Sequence, residues 1–89
     1  MADRVVVRNP GAVRAFAGKL RREATELERV AASLRGACSS VRGDWDDPQQ
    51  QKVEQQVTEL TQALARFRES AEATSRYCEG LAARIEAIS

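Results

Sequence analysis

The sequence predicts an all-α protein, an antiparallel two-helix hairpin that dimerises into a four-helix bundle. Three observations predict this fold. The 89-residue chain has only two prolines, each directly after a helix-capping residue, and its apolar residues recur at alternating intervals of four and three positions rather than at every second one. The segment between the two periodic stretches is about five residues long, short enough to require antiparallel neighbours. The whole chain, 1–89, is expected to form one domain.

The first helix is predicted over 10–42. Asn9 is a preferred N-cap residue, and Pro10 then occupies the first helical position, where its missing N–H costs no hydrogen bond. Gly43 is the residue type most often found just after a helix end. Residues 1–9 are expected to form an extended N-terminus.

The second helix is predicted over 48–88, after a turn formed by 43–47. Asp47 and Pro48 repeat the capping signature, and Gln50 occupies the position at which a capping box has Glu or Gln. Negative charge is favourable at the start of a helix because the helix dipole is positive there. The acidic residues of the turn are Asp44, Asp46 and Asp47.

Each predicted helix carries two apolar rows, the pattern of helices packed lengthwise at a shallow angle. The rows of the first helix are Val13, Leu20, Leu27, Leu34, Val41 and Ala17, Ala24, Ala31, Cys38. Those of the second are Val53, Leu60, Phe67, Thr74, Leu81, Ile88 and Val57, Leu64, Ala71, Cys78, Ile85. Small Ala side chains allow close approach of a neighbouring helix, while the Leu row fills the centre. The residues predicted to form the seam of the dimer are Leu20, Leu27, Leu34, Val41, Leu60, Leu64, Phe67, Leu81 and Ile85.

A partner chain is expected because the apolar surface is too wide for two helices to cover. Phe16, Val30 and Tyr77 lie outside the rows and widen the apolar stripe. A chain of this length also buries only about 60% of the surface that its unfolded form exposes, so a lone core is marginal. The partner is itself or a similar hairpin, in a homodimer or a heterodimer. The alternative is a monomer with a partly exposed stripe.

The composition argues against catalysis, nucleic-acid binding and membrane insertion. The net charge is +1 and there is no His, so both a basic phosphate-binding surface and the commonest general base are missing. No apolar run approaches the roughly 20 residues of a membrane span. We expect no catalytic residue, cofactor, metal site or small-molecule substrate.

The charges are divided between the two halves of the chain: 1–43 has nine Lys or Arg against four acidic residues, and 44–89 has five against nine. The two halves would attract if packed side by side, within a chain or between chains, although two ordinary solvated faces explain the division equally well.

The segment Gly43-Asp44-Trp45-Asp46-Asp47-Pro48 places the only Trp of the chain in the turn. With its length and two long helices, the chain here resembles the WXG family, the early secreted antigenic target-like helical hairpins of bacterial type VII secretion. The family has Gly two residues after the Trp, where this chain has Asp47, so the resemblance is to a divergent member. It implies head-to-tail dimers in which the turn, with Gly43, Trp45, Asp46 and Asp47, docks against the helix ends of a partner.

The export signal of the family is degenerate in this chain. Exported members have Tyr followed four positions later by Asp or Glu, whereas Tyr77 is followed by Leu81 at that distance and by an acid only at Glu79. The resemblance implies a non-catalytic interaction protein, associated with type VII secretion as effector, partner or chaperone-like subunit. The alternative is a cytosolic assembly or adaptor protein that is not secreted. The expected location is cytoplasmic, or outside the cell without a cleavable signal peptide.

The two cysteines offer a test of dimer geometry. Cys38 lies about 10 Å and Cys78 about 50 Å from the turn at the helical rise of 1.5 Å per residue, too far apart for a disulfide within one straight hairpin. In a head-to-tail dimer Cys38 comes level with Cys78 of the other chain, whereas in a parallel dimer each meets its own copy. The alternative is two small buried thiols in a reducing cytoplasm.

Overall fold

The computed structural model describes residues 6–88, and within them the chain forms two helices packed against each other as an antiparallel hairpin. Helix α1 spans Pro10–Val41 and helix α2 spans Pro48–Ile88. The molecule is a flat rod with extents of 63 × 27 × 13 Å. The predicted extended N-terminus over 1–9 lies largely outside the described residues.

Helix α1 begins at the predicted cap, Asn9, and ends without a left-handed glycine. Asn9 is extended, with φ −140° and ψ 94°, and its side-chain oxygen accepts a hydrogen bond from the N–H of Ala12 at 3.2 Å. At the other end Arg42 is still right-handed, and no glycine in 6–88 has a positive φ. The N–H of Asp44 instead donates to the carbonyl of Val41 at 3.0 Å. A tight bond of this type occupies a terminal carbonyl, so Gly43 need not be left-handed.

Helix α2 is capped by Asp47, without the reciprocal bond of a capping box. One carboxylate oxygen of Asp47 accepts the N–H groups of Gln49 at 2.8 Å and Gln50 at 3.0 Å. The side chain of Gln50 does not return to Asp47 but donates to Glu54 at 2.6 Å. Because Glu54 also binds Arg42 across the hairpin, the side chain of Gln50 joins a network that ties α1 to α2 beside the turn.

Small side chains form the contact between the helices. The Ala row of α1 faces α2, with Ala17 fully buried. Ser75 of α2 is also fully buried, and its hydroxyl donates to the carbonyl of Ala17 at 2.6 Å. Such a bond between a side chain and the opposite backbone requires the close approach that the Ala row predicted. The buried apolar residues and small hydroxyl residues at this contact are Ala17, Ala24, Ala31, Thr61, Ala71, Ser75 and Ala82.

The face that α2 turns toward α1 is rotated by one residue from the prediction. The predicted row with Leu60 and Phe67 is mostly exposed, and the row one position later faces α1 in its place. That row consists of Glu54, Thr61, Arg68, Ser75 and Ala82. Its small Thr, Ser and Ala side chains fit against the Ala row of α1. Leu and Phe side chains in the same place would keep the two helices further apart. On α1 the Leu row is half-buried beside the contact rather than at its centre.

Candidate partner-binding face

One long edge of the hairpin is closed by ion pairs between the helices, and we call it the paired edge. Arg21 binds Glu79 through two hydrogen bonds of 2.6 and 2.7 Å, and Arg68 binds Glu28 at 2.9 Å. The full set is Arg14–Glu86, Arg21–Glu79, Glu28–Arg68 and Arg42–Glu54. In three of the four pairs the cation comes from 1–43 and the anion from α2. The basic and acidic halves of the chain therefore attract within one chain along this edge.

The ion pairs lower the pKa of two carboxyls. The pKa of Glu86 is lowered by hydrogen bonding to Arg14, and that of Glu54 by hydrogen bonding to Arg42 and then to Gln50. The charged groups of these two pairs are partly solvated, and exposed ion pairs each contribute little to stability. Their main effect is on register, because each pair fixes one level of α1 against one level of α2.

The opposite edge and the surface beside it are apolar, and we call them the apolar face. Phe16 and Val30 directly precede the buried Ala17 and Ala31, while the ion-paired Arg21 lies four residues after Ala17. On a helix, the residue one position before a buried residue and the residue four positions after it lie on opposite sides of the buried one. Phe16 and Arg21 therefore lie on opposite sides of the contact that Ala17 makes. The same holds on α2. The large side chains of the apolar face are Val13, Phe16, Leu20, Leu27, Val30, Leu34, Val41, Val53, Val57, Leu60, Leu64, Phe67, Leu81, Ile85 and Ile88.

Both helices contribute exposed apolar side chains to this face at matching levels. Arg14 lies across from Glu86 and Arg21 from Glu79, so the level of Val30 on α1 corresponds to that of Phe67 on α2, to within about a turn. Val30 is 46% exposed and Phe67 64%. The apolar surface is thus continuous across the two helices.

All nine residues predicted for the dimer seam lie on the apolar face. Val41, Leu60 and Phe67 are exposed, and the other six, Leu20, Leu27, Leu34, Leu64, Leu81 and Ile85, are half-buried. Their use in a dimer stays a prediction. The paired edge was not predicted from the sequence, although its signal was present: Arg14, Arg21 and Arg35 lie at multiples of seven residues in α1, and Glu72, Glu79 and Glu86 lie seven residues apart in α2.

The turn explains why this chain has no Gly in the third position of its Trp motif. Asp47 occupies that position as the N-cap of α2, and no residue in 6–88 has a positive φ. The pKa of Asp47 is lowered, first by the backbone N–H of Gln50 and also by the side chain of Trp45. Trp45 is half-buried in the single chain. Gly43 and Asp46 are exposed beside it.

Tyr77 is exposed, whereas the two cysteines are half-buried. Tyr77 is 67% exposed, and the nearby acid Glu79 is engaged by Arg21 on the paired edge. Cys38 and Cys78 are half-buried free thiols in opposite halves of the rod. The structure brings neither cysteine near the other within one chain.

Other kinds of site find little support in the part of the chain that the structure describes. It contains no cluster of three or more metal-ligating side chains. Neither helix combines the length and the apolar composition needed to cross a bilayer, as judged over 6–88. Arg35 lines two open grooves of about 180 Å³ each, and the first of them is also lined by Leu27 and Leu64 of the apolar face.

Comparison with protein families gives one match that covers nearly the whole chain. The family model described as WXG100 like domain matches residues 7–88. Neither the curated proteins nor the solved structures gave a match.

Proposed function

Because the chain belongs to the WXG100-like family, we propose that it is a non-catalytic subunit associated with a type VII secretion system. It acts by binding a second helical hairpin over its apolar face, so that the two hairpins form a four-helix bundle. The export machinery then handles the pair, with this chain as effector, partner or chaperone-like subunit. The observation that carries the proposal is the continuous apolar face opposite a closed, charged edge.

The apolar face is large enough for a stable complex. The outline of the hairpin measures 63 by 27 Å, so a partner covering about half of it buries roughly 800 Å² on this side, the size of a stable protein interface. The largest apolar patch of a typical monomer is about 300–600 Å². A face of this size with Phe16, Leu60 and Phe67 about half or more exposed supports a covering partner.

A hairpin partner fits this face better than a single helix does. The half-buried Leu20, Leu27 and Leu34 point between the α1–α2 contact and the exposed row with Phe16 and Val30. A pair of helices laid on the exposed rows would place this Leu row at the centre of four helices, the geometry of bundle cores. One added helix would leave part of the face wet.

The turn indicates the relative orientation of the two hairpins in the proposed complex. In a head-to-tail pair the turn of one hairpin lies at the open end of the other, where a helix end can cover the exposed part of Trp45. Trp45→Ala should therefore weaken partner binding and leave the helix content nearly unchanged, since Asp47 keeps its backbone hydrogen bonds. Unchanged partner affinity would remove Trp45 from the interface.

Photo-crosslinking in the native bacterium tests the proposal directly. A photoreactive phenylalanine analogue replaces Phe67 on the apolar face or, as the matched control, Arg66 on the outward surface. We expect position 67 alone to give an adduct, with a protein whose mass is close to the 9.8 kDa of this chain, and with a lower yield in the Trp45→Ala background. Equal adducts from both positions, or none from 67, would contradict the proposed use of the face.

The non-secreted adaptor remains the second candidate, favoured by one observation. Tyr77 has Leu81 where exported relatives have an acid, and Glu79 is held on the paired edge by Arg21. The location of the crosslinked adduct distinguishes the candidates. An adduct in culture medium indicates export, and an adduct confined to cells under secreting conditions indicates the adaptor.

A further inference from the structure

The apolar face has one charged residue in its rows. On α1 these rows are 13/20/27/34/41 and 16/23/30/37, and on α2 they are 53/60/67/74/81/88 and 57/64/71/78/85. Within them Glu23 is the only Asp, Glu, Lys or Arg, and its side chain is 67% exposed. We propose that Glu23 determines partner specificity: it disfavours a second copy of this chain and selects a hairpin that carries Lys or Arg opposite it. This inference rests on the proposed function.

Covering Glu23 without a cation is unfavourable. A partner that buries the rows around it removes the carboxylate from water, and a buried carboxylate is tolerated only when it is paired. Within the chain, Lys19 reaches Glu23 only at 4.0 Å, and both side chains are about two-thirds exposed. Such a solvated pair along one helix contributes little. A covering partner therefore has to supply the cation.

A second copy of this chain supplies none. Its own apolar rows contain no Lys or Arg, and the cations that border them, Lys19 and Arg84, lie toward the open end of the hairpin. In a head-to-tail pair that end is reversed, which leaves both cations roughly 20 Å from Glu23 along the axis at 1.5 Å per residue. In a parallel pair, the residue of a second copy level with Glu23 is Thr74, which is uncharged.

The position opposite Glu23 can be identified in the head-to-tail geometry. When two hairpins overlap fully, α1 lies on α1 of the second copy, running the opposite way. Glu23 then comes level with residues 28–32 of that copy, where Val30 is the member of the exposed row. The expected partner is thus a hairpin of similar length with Lys or Arg where this chain has Val30.

Sedimentation equilibrium of the purified chain and its variants tests both halves of the inference. Glu23→Leu removes the charge from the face, and Glu59→Leu makes the same change on the outward surface of α2 as a control. The probe for the cation is a double variant of this chain, Glu23→Leu with Val30→Lys, mixed in equal amounts with the wild type. In that mixture the introduced lysine meets the wild-type Glu23, and the introduced leucine meets the wild-type Val30.

We expect Glu23→Leu to self-associate about tenfold or more tightly than the wild type, which corresponds to about 1.4 kcal/mol, and Glu59→Leu to match the wild type. The wild type mixed with the double variant should associate at least tenfold more tightly than either chain alone. A wild-type dimer as tight as that of Glu23→Leu would overturn the specificity role and leave the proposed function standing, because the face would still bind a hairpin. A mixture no tighter than its components would overturn the cation requirement. No association of Glu23→Leu, together with no crosslink from position 67, would overturn the proposed function itself.

Discussion

Ala24→Leu should destabilise the hairpin, because Ala24 lies where the two helices touch. It is 2% exposed, and its neighbours in the same row, Ala17 and Ala31, are 0% and 6% exposed. The three carbons that Leu adds have no space there, so the helices must separate. Overpacking of this kind costs about 1–3 kcal/mol. We expect the upper part of that range, since separation also stretches the 2.6 Å bond from Ser75 to the carbonyl of Ala17.

Urea unfolding followed by far-ultraviolet circular dichroism measures this loss. Ala32→Leu is the matched control, because Ala32 is exposed on the same helix and the substitution is chemically identical. Measurement at two protein concentrations separates loss of hairpin stability from loss of association. Equal unfolding midpoints for the two variants would refute the small-residue contact, and greater stability of Ala24→Leu would favour the contact first predicted from the large apolar rows.

Three further changes have defined outcomes. Asp47→Ala should cost about 1 kcal/mol, the usual loss for an N-cap, because two N–H groups lose their acceptor; the unfolding midpoint measures it, and no loss would contradict the capping role. Ser75→Ala should cost about 1 kcal/mol, less the gain in helix propensity, whereas Ser75→Leu should cost more through overpacking; similar stability of the two would contradict the close approach. Acidification should destabilise the hairpin: the pKa values of Glu54 and Glu86 are lowered in the folded chain, so their contribution is present above the ordinary carboxyl pKa of about 4.3 and is lost as the pH falls through the lower folded values. An unfolding midpoint that does not decrease when the pH is lowered from neutral to roughly 3 would contradict this prediction.

The helical hairpin was predictable because its signals are local. Asn9 and Asp47 cap their helices through hydrogen bonds to residues at most three positions away. The apolar period also follows from helix geometry alone. The way in which α1 ends was not predicted, because the preference for glycine after a helix does not reveal that a tighter hydrogen bond can end the helix without a left-handed residue.

The face of α2 that contacts α1 was not predictable from hydrophobicity. Thr61 and Ser75 count as polar in an apolar pattern, yet both are buried, because small side chains allow the closest helix contact and Ser75 bonds to the opposite backbone. Leu60 and Phe67, which the pattern places inside, are too large for that contact. The residues of the candidate site were thus predicted from the sequence. Their position beside the α1–α2 contact, rather than within it, was not.

The difference between the two edges has a consequence for assembly. A hairpin with apolar side chains on both edges could add helices on either side and grow without limit, as open-ended interfaces do. Here the paired edge, represented by Arg21 and Glu79, carries solvated charges, and a helix laid over it would have to bury them at a cost. The proposed binding is therefore expected at the apolar face alone, as far as residues 6–88 show. In the proposed complex, a partner with one such face of its own would complete the assembly at four helices, and the charge of Glu23 would lie in the interface between the two hairpins.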